Sequence, residues 1–226
     1  MGGFAETRST RLPLLEGRAI GRRIAKGWTW RNLTFSLPRG GVLGLSGPSG
    51  TGKTLLLRAL VGLDPLDEGE IRAEGRALDS RHLPHHRARV SYVAQRPALF
   101  PGNVEDNLRL PFALRMHRST SFDRSQALTR LAALGRGEDF LARPTGHLSG
   151  GEAQIMALIR VLAISPQVLL LDEPTAALDE GASRGVERLV RAFLDQAPDR
   201  ACLWVSHDAG QLDRVADQRL RLEVPR

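Results

Sequence analysis

Short, wholly apolar runs alternate with stretches of helical spacing along most of this chain. Val42-Leu43-Gly44-Leu45-Ser46, Val168-Leu169-Leu170-Leu171 and Cys202-Leu203-Trp204-Val205 show no alternation of polar and apolar positions. Runs of this kind belong to strands covered on both faces. Residues 55–61 and 180–195 read as helices. Between residues 103 and 141, Leu128, Leu131, Ala132 and Leu134 recur at three- and four-residue steps, another helical signature, with Pro97, Pro101 and Pro111 around its entrance. Near the start, Trp28-Thr29-Trp30 and Leu33-Thr34-Phe35-Ser36-Leu37 favour strands and end at the turn Pro38-Arg39-Gly40-Gly41. Residues 70–73 and 90–94 add further strands. Strands alternating with helices predict an α/β fold whose mainly parallel sheet binds ligands at its carboxyl edge. The division expected is a flexible tail over residues 1–11, an N-terminal antiparallel β part over 12–41, a core of 42–102 and 160–226, and an inserted helical part over 103–159.

Composition narrows the picture a little. The 226 residues are 42% hydrophobic, enough for a core, yet no apolar run approaches the roughly 20 residues that span a bilayer. The polar start lacks the apolar segment of a secretory signal. Cys202 is the only cysteine, so no internal disulfide is expected, and its apolar setting reads as inert. The net charge of +7 comes from scattered arginines, and aromatics are only 5%. Without a basic cluster or stacking platform, no direct nucleic-acid partner is expected. The segment from Arg81 to Arg87 holds three histidines but no ligand spacing, and Pro84 interrupts it, so it reads as a solvated loop.

The chemistry is concentrated elsewhere. Gly47-Pro48-Ser49-Gly50-Thr51-Gly52-Lys53-Thr54 fits the phosphate-binding loop pattern, between an apolar strand and a helix. Its glycines allow backbone N–H groups to wrap a phosphate at the positive end of the helix. Lys53 would reach the β- and γ-phosphates of a nucleotide and Thr54 would hold Mg²⁺. Of the 32 Lys and Arg residues only Lys26 and Lys53 are lysines, so a compact ammonium is kept where a phosphate needs one. The strand of residues 168–171 ends in Asp172 and Glu173. An aspartate there anchors Mg²⁺, and the adjacent glutamate is placed to activate a water as general base.

Three more motifs complete a pattern. Leu148-Ser149-Gly150-Gly151-Glu152, Asp172-Glu173-Pro174-Thr175-Ala176-Ala177-Leu178-Asp179, and the pair Gln95 and His207 stand in the order found in ATP-binding cassette (ABC) ATPases. The chain resembles that family over roughly residues 12–222. The resemblance implies a P-loop NTPase (RecA-like) core with ATP and Mg²⁺ as cofactors, in a single ABC ATPase domain over 12–226. It implies that Thr54, Gln95 and Asp172 hold the metal, and that Glu173, His207 and Gln95 serve hydrolysis. Ser149, Gly150, Gly151, Glu152 and Asp179 are implied to contact the nucleotide of a second, head-to-tail cassette. A separate multi-span membrane subunit would dock beside residues 95–107, placing the chain on the cytoplasmic face of the membrane as a peripheral subunit. The stretch from Gln95 to Asn107 resembles exporters more than importers, and together with Leu203-Trp204-Val205-Ser206-His207-Asp208 it is most similar to the iron-efflux subgroup; a soluble ABC ATPase with a mechanical or assembly role is the alternative. Two departures stand out. Ile155 follows Gln154 where arginine is common, and no aromatic lies near Ile24 to stack on adenine, leaving Trp28 or Trp30 as substitutes.

Overall fold

Two sheets carry the molecule, and the parallel one gathers the chemistry. The computed structural model describes residues 12–25, 27–117 and 119–223, so the tail expected over residues 1–11 lies outside the described residues. The chain opens with β1 (Leu15–Ile24) and β2 (Gly27–Leu37), paired antiparallel. Then come β3 (Val42–Ser46), α1 (Lys53–Leu60), β4 (Glu68–Ala73), β5 (Arg76–Ala77), α2 (Leu83–Arg89) and β6 (Val90–Val93). The helical part holds α3 (Val104–Arg109), α4 (Arg124–Ala132), α5 (Asp139–Ala142) and α6 (Gly150–Ala163). The chain closes with β7 (Val168–Asp172), α7 (Glu180–Asp195), β8 (Ala201–Val205), α8 (Ala209–Val215) and β9 (Gln218–Arg221).

The parallel sheet runs β6-β7-β8-β3-β9, and its strands send alternate residues to opposite faces. Val42, Leu169, Leu171, Cys202 and Trp204 pack with Ile155, Met156 and Ile159 of α6 and with Val186, Val190 and Phe193 of α7. Leu43, Leu45, Leu170, Leu203 and Val205 turn the other way, onto Leu56, Leu57 and Leu60 of α1 and Leu15, Ile20 and Leu37 of the antiparallel sheet. Each such leucine stabilises the fold by about 1.5–3 kcal/mol relative to an exposed one. This two-sided burial is why β7 and β8 carry no polar alternation. Cys202 is fully buried and burial pushes its thiol pKa up, which keeps it protonated and inert.

Two local expectations change. The antiparallel sheet has the order β2-β1-β4-β5, so it extends past residue 41 and takes in strands from the segment assigned to the core. The histidine segment is a helix, not a loop. Pro84 stands in its first turn, where a missing N–H and a fixed φ are tolerated, and buried His86 donates from Nε2 to Leu60 O at 2.7 Å. Pro111, placed at the entrance of the helical block, opens a 3₁₀ turn over Leu110–Ala113.

Candidate functional site

Four neighbouring parallel strands deliver the predicted residues at their carboxyl ends. β3 leads into the phosphate loop, β6 into Gln95, β7 into Asp172 and Glu173, and β8 into His207. Residues far apart in sequence meet because the strand order brings these ends side by side.

The loop itself is shaped by close backbone approach. A Cβ on Gly47 would lie 2.5 Å from Leu222 O, and one on Gly52 would lie 2.3 Å from Thr29 Cγ2; both glycines also have positive φ. Thr51 Oγ1 closes the loop by donating to Pro48 O at 2.9 Å. Gly52 is the N-cap of α1 and no side chain caps this helix, nor does its first turn hold an acidic residue. Its first amides are therefore available to an anion. Lys53 Nζ donates to Gly47 O at 2.9 Å and to Pro48 O at 3.0 Å. Burial lowers the Lys53 pKa, opposed by the charges of Glu173 and Asp172.

Asp172 is 2% exposed and its Oδ2 accepts from Thr54 Oγ1 at 2.8 Å. Tyr92 donates its hydroxyl to the same oxygen at 3.0 Å. Burial and the Asp172 charge raise the Tyr92 pKa, so the phenol stays a donor. A hydroxyl beside a carboxylate is the hard oxygen pair that suits Mg²⁺. Glu173 lies next, with Oε2 accepting from Gln95 Nε2 at 2.9 Å and Oε1 facing His207 Nε2 at 2.8 Å. Its backbone is left-handed, with φ 49°. Such a conformation costs on the order of 1–3 kcal/mol in a residue with a Cβ. Three contacts hold it: Glu173 N donates to Val205 O at 3.2 Å, and Glu173 O accepts from Ala176 N at 3.2 Å and from Gln154 Nε2 at 3.3 Å.

Lys53, Thr54, Gln95, Asp172, Glu173 and His207 thus form one cluster. The remaining predicted residues stand apart from it. Ser149 caps α6, its Oγ accepting from Glu152 N at 3.2 Å while its own N–H donates to Glu152 Oε2 at 2.9 Å. That backbone bond, reinforced by Arg143, holds the Glu152 carboxyl below the usual range. Gly151 has a packing reason within the chain, since a Cβ there would lie 2.6 Å from Ala177 O. Asp179 caps α7 by accepting from Ala182 N at 2.8 Å. Among the described residues, no hydrogen bond joins residues 149–152 to the phosphate loop.

Two residues of the site escaped the sequence reading. Tyr92 stands opposite Leu170 in the β6–β7 register, which puts it beside Asp172 on the same face. Gln154, only 3% exposed, links α6 to the cluster. Ile155, the departure from arginine, is wholly buried in the core. Both tryptophans are engaged within the chain. Trp30 is 4% exposed and packs under Gly52, while Trp28 carries the guanidinium carbons of Arg23 and Arg31 at 4.1 and 4.6 Å from its ring centroid.

Comparison with known proteins gives a consistent result. The family described as ABC transporter matches residues 30–176. The probable iron export ATP-binding protein FetA of Escherichia coli K12 is 34% identical over 211 residues, covering 93% of this chain and 92% of that protein. A sulfate/thiosulfate import ATP-binding protein, CysA of Bacillus cereus, is 36% identical over 192 residues, covering 83% of this chain and 52% of its own length. The chain therefore spans about half of that import relative. Among solved structures, a dimeric ATP-binding cassette in a post-hydrolysis state with ADP and Pi superimposes with a TM-score of 0.79 at 25% identity, over 94% of this chain and 97% of that one.

Proposed function

This chain belongs to the ABC transporter family, and from that premise we propose that two copies form a head-to-tail engine docked on a separate multi-span membrane subunit. As a member it is an ATP-binding subunit and an ATPase. One observation carries the reading: Glu173 lies between Gln95 and His207 beside the phosphate loop, while the second glycine-rich helix end, Ser149 to Gly151, is excluded from that cluster. A site with its base in place but its second phosphate grip elsewhere is completed by another copy, and a two-fold arrangement completes two sites at once.

In this scheme the uncapped amides of α1 and Lys53 grip the β- and γ-phosphates. Glu173 accepts the proton of the attacking water, while Gln95 and His207 fix its carboxylate. Thr54, Asp172 and Gln95 would hold Mg²⁺, which neutralises phosphate oxygens when bound. Ser149, Gly150 and Gly151, with Glu152 and Asp179 beside them, close on the nucleotide held by the partner. Loss of the γ-phosphate removes the charge both halves grip, and the pair opens.

Export of a metal ion such as iron is the cargo reading. It is supported by the near full-length match to FetA, whereas the import relative is matched over half its length. Among the described residues no helix is long and apolar enough to cross a membrane, so the reading assigns the chain to the cytoplasmic face through its partner. ATP turnover measured against chain concentration tests the engine. The rate per chain should rise with concentration; a constant rate would mean each chain completes its own site. Co-expression with the membrane subunit should lower cell iron only when Glu173 is intact, and unchanged iron would remove the cargo assignment.

A further inference from the structure

We infer that Gln154 is a positioning residue that sets the geometry of the general base from α6. The side-chain amide makes three hydrogen bonds to two loops, the one after β6 and the one between β7 and α7. Nε2 donates to Gln95 O at 3.0 Å and to Glu173 O at 3.3 Å, while Oε1 accepts from Ala177 N at 3.2 Å. The partners fix the orientation of the amide, because two are carbonyls that only accept and the third is an N–H that only donates. Gln154 thus joins the peptide of the residue that orients the base, the peptide of the base itself, and the loop leading to Asp179.

Its position on α6 gives this junction a direction. Gln154 lies on the first turns of the helix that Ser149 caps, and Gly151 of the same helix end packs against Ala177. A movement of that helix end is transmitted through one side chain to the left-handed peptide of Glu173, whose other hydrogen bonds are a donation from its N–H to Val205 O and one accepted by its carbonyl from Ala176 N. The other face of the same loop is braced by Gln211, which donates from Nε2 to Thr175 Oγ1 at 3.0 Å, but Gln211 makes no hydrogen bond to Gln95 or Glu173. Gln154 bonds both to the loop after β6 and to the two ends of the turn that follows Glu173. When α6 closes on a partner's nucleotide, Gln154 thereby carries that event to the chain's own base.

This rests on Glu173 acting as the base, and the test separates the two. Gln154→Glu keeps the acceptor for Ala177 and loses both donors; Gln154→Met keeps the volume and loses all three bonds. Steady-state ATP turnover of the full chain is measured with each, divided by the fraction of chains that bind a fluorescent ATP analogue. The expected result is a fall in kcat of about tenfold or more with KM for ATP within about twofold. Gln154→Met carries the test if Gln154→Glu does not fold. A merely structural role predicts a lower melting temperature with normal kcat per binding-competent chain, and that result would overturn the inference. Glu173→Gln is measured alongside. Its inactivity together with an unimpaired Gln154→Met sinks the positioning role alone, whereas normal turnover of Glu173→Gln removes the base that Gln154 is said to position.

Discussion

The two glycine-rich helix ends, α1 and α6, look alike in sequence and are built in opposite ways. α1 starts after Gly52 with no side-chain cap, and it is held at its other end, where His86 donates to Leu60 O and Arg87 to Gly62 O at 2.5 Å. α6 starts with a closed capping box in which Ser149 and Glu152 satisfy each other's amides. The first end keeps its donors for a ligand and depends on its far end for stability. The second is content without a ligand and can stand exposed in a single chain. This difference is what a site shared between two copies requires: one half ready to bind, the other stable while it waits.

The largest effect that would sharpen the contrast lies at the ready half. Glu173→Gln should reduce turnover by about 10²-fold or more while nucleotide binding persists, as followed by phosphate release and equilibrium binding. Lys53→Ala should instead weaken binding itself, so the two variants separate gripping from chemistry. At the waiting half, Gly151→Ala drives a methyl into Ala177 O and should cost about 1–3 kcal/mol in denaturant unfolding, more than the same change at Gly150, where the added atom meets only Ala177 Cβ at 3.6 Å. Ser149→Ala removes a cap and should cost about 1 kcal/mol, and no substitution at Gly52 can remove a side-chain cap that α1 never had.

The smallest effect concerns the anchor of α1. Burial lowers the pKa of His86 beneath its ordinary 6.5, so the unfolded chain binds more protons there. Stability should therefore fall as pH drops below about 6.5 toward the folded value, and be unaffected by this group above it. His86→Gln should flatten that part of the melting-temperature profile. An unchanged slope would mean that His86 does not contribute it.

How much of this was legible follows a physical line. The phosphate loop, Asp172, Glu173, Gln95 and His207 are local patterns, each at the end of an apolar run, and the strand order only had to bring them together. Tyr92 and Gln154 act through contacts across strands and between helix and loop, which depend on register and packing that no local pattern encodes. The same holds for β4 and β5. The run at residues 70–73 reads as a strand, but β4 joins its sheet by pairing with β1, and β5, which no run signalled, pairs with β4. Pro84 misled because a proline stops a helix from within and opens one from its first turn.

The shared site is tested most directly by the mass of the chain in solution. Sedimentation of Glu173→Gln, and of the same variant carrying Ser149→Arg, is compared with ATP and with ADP. The account predicts a dimer only for Glu173→Gln with ATP, and monomers for the double variant even though it still binds ATP. An ATP-driven dimer that survives Ser149→Arg would contradict it, because the waiting helix end would then take no part in closing the site.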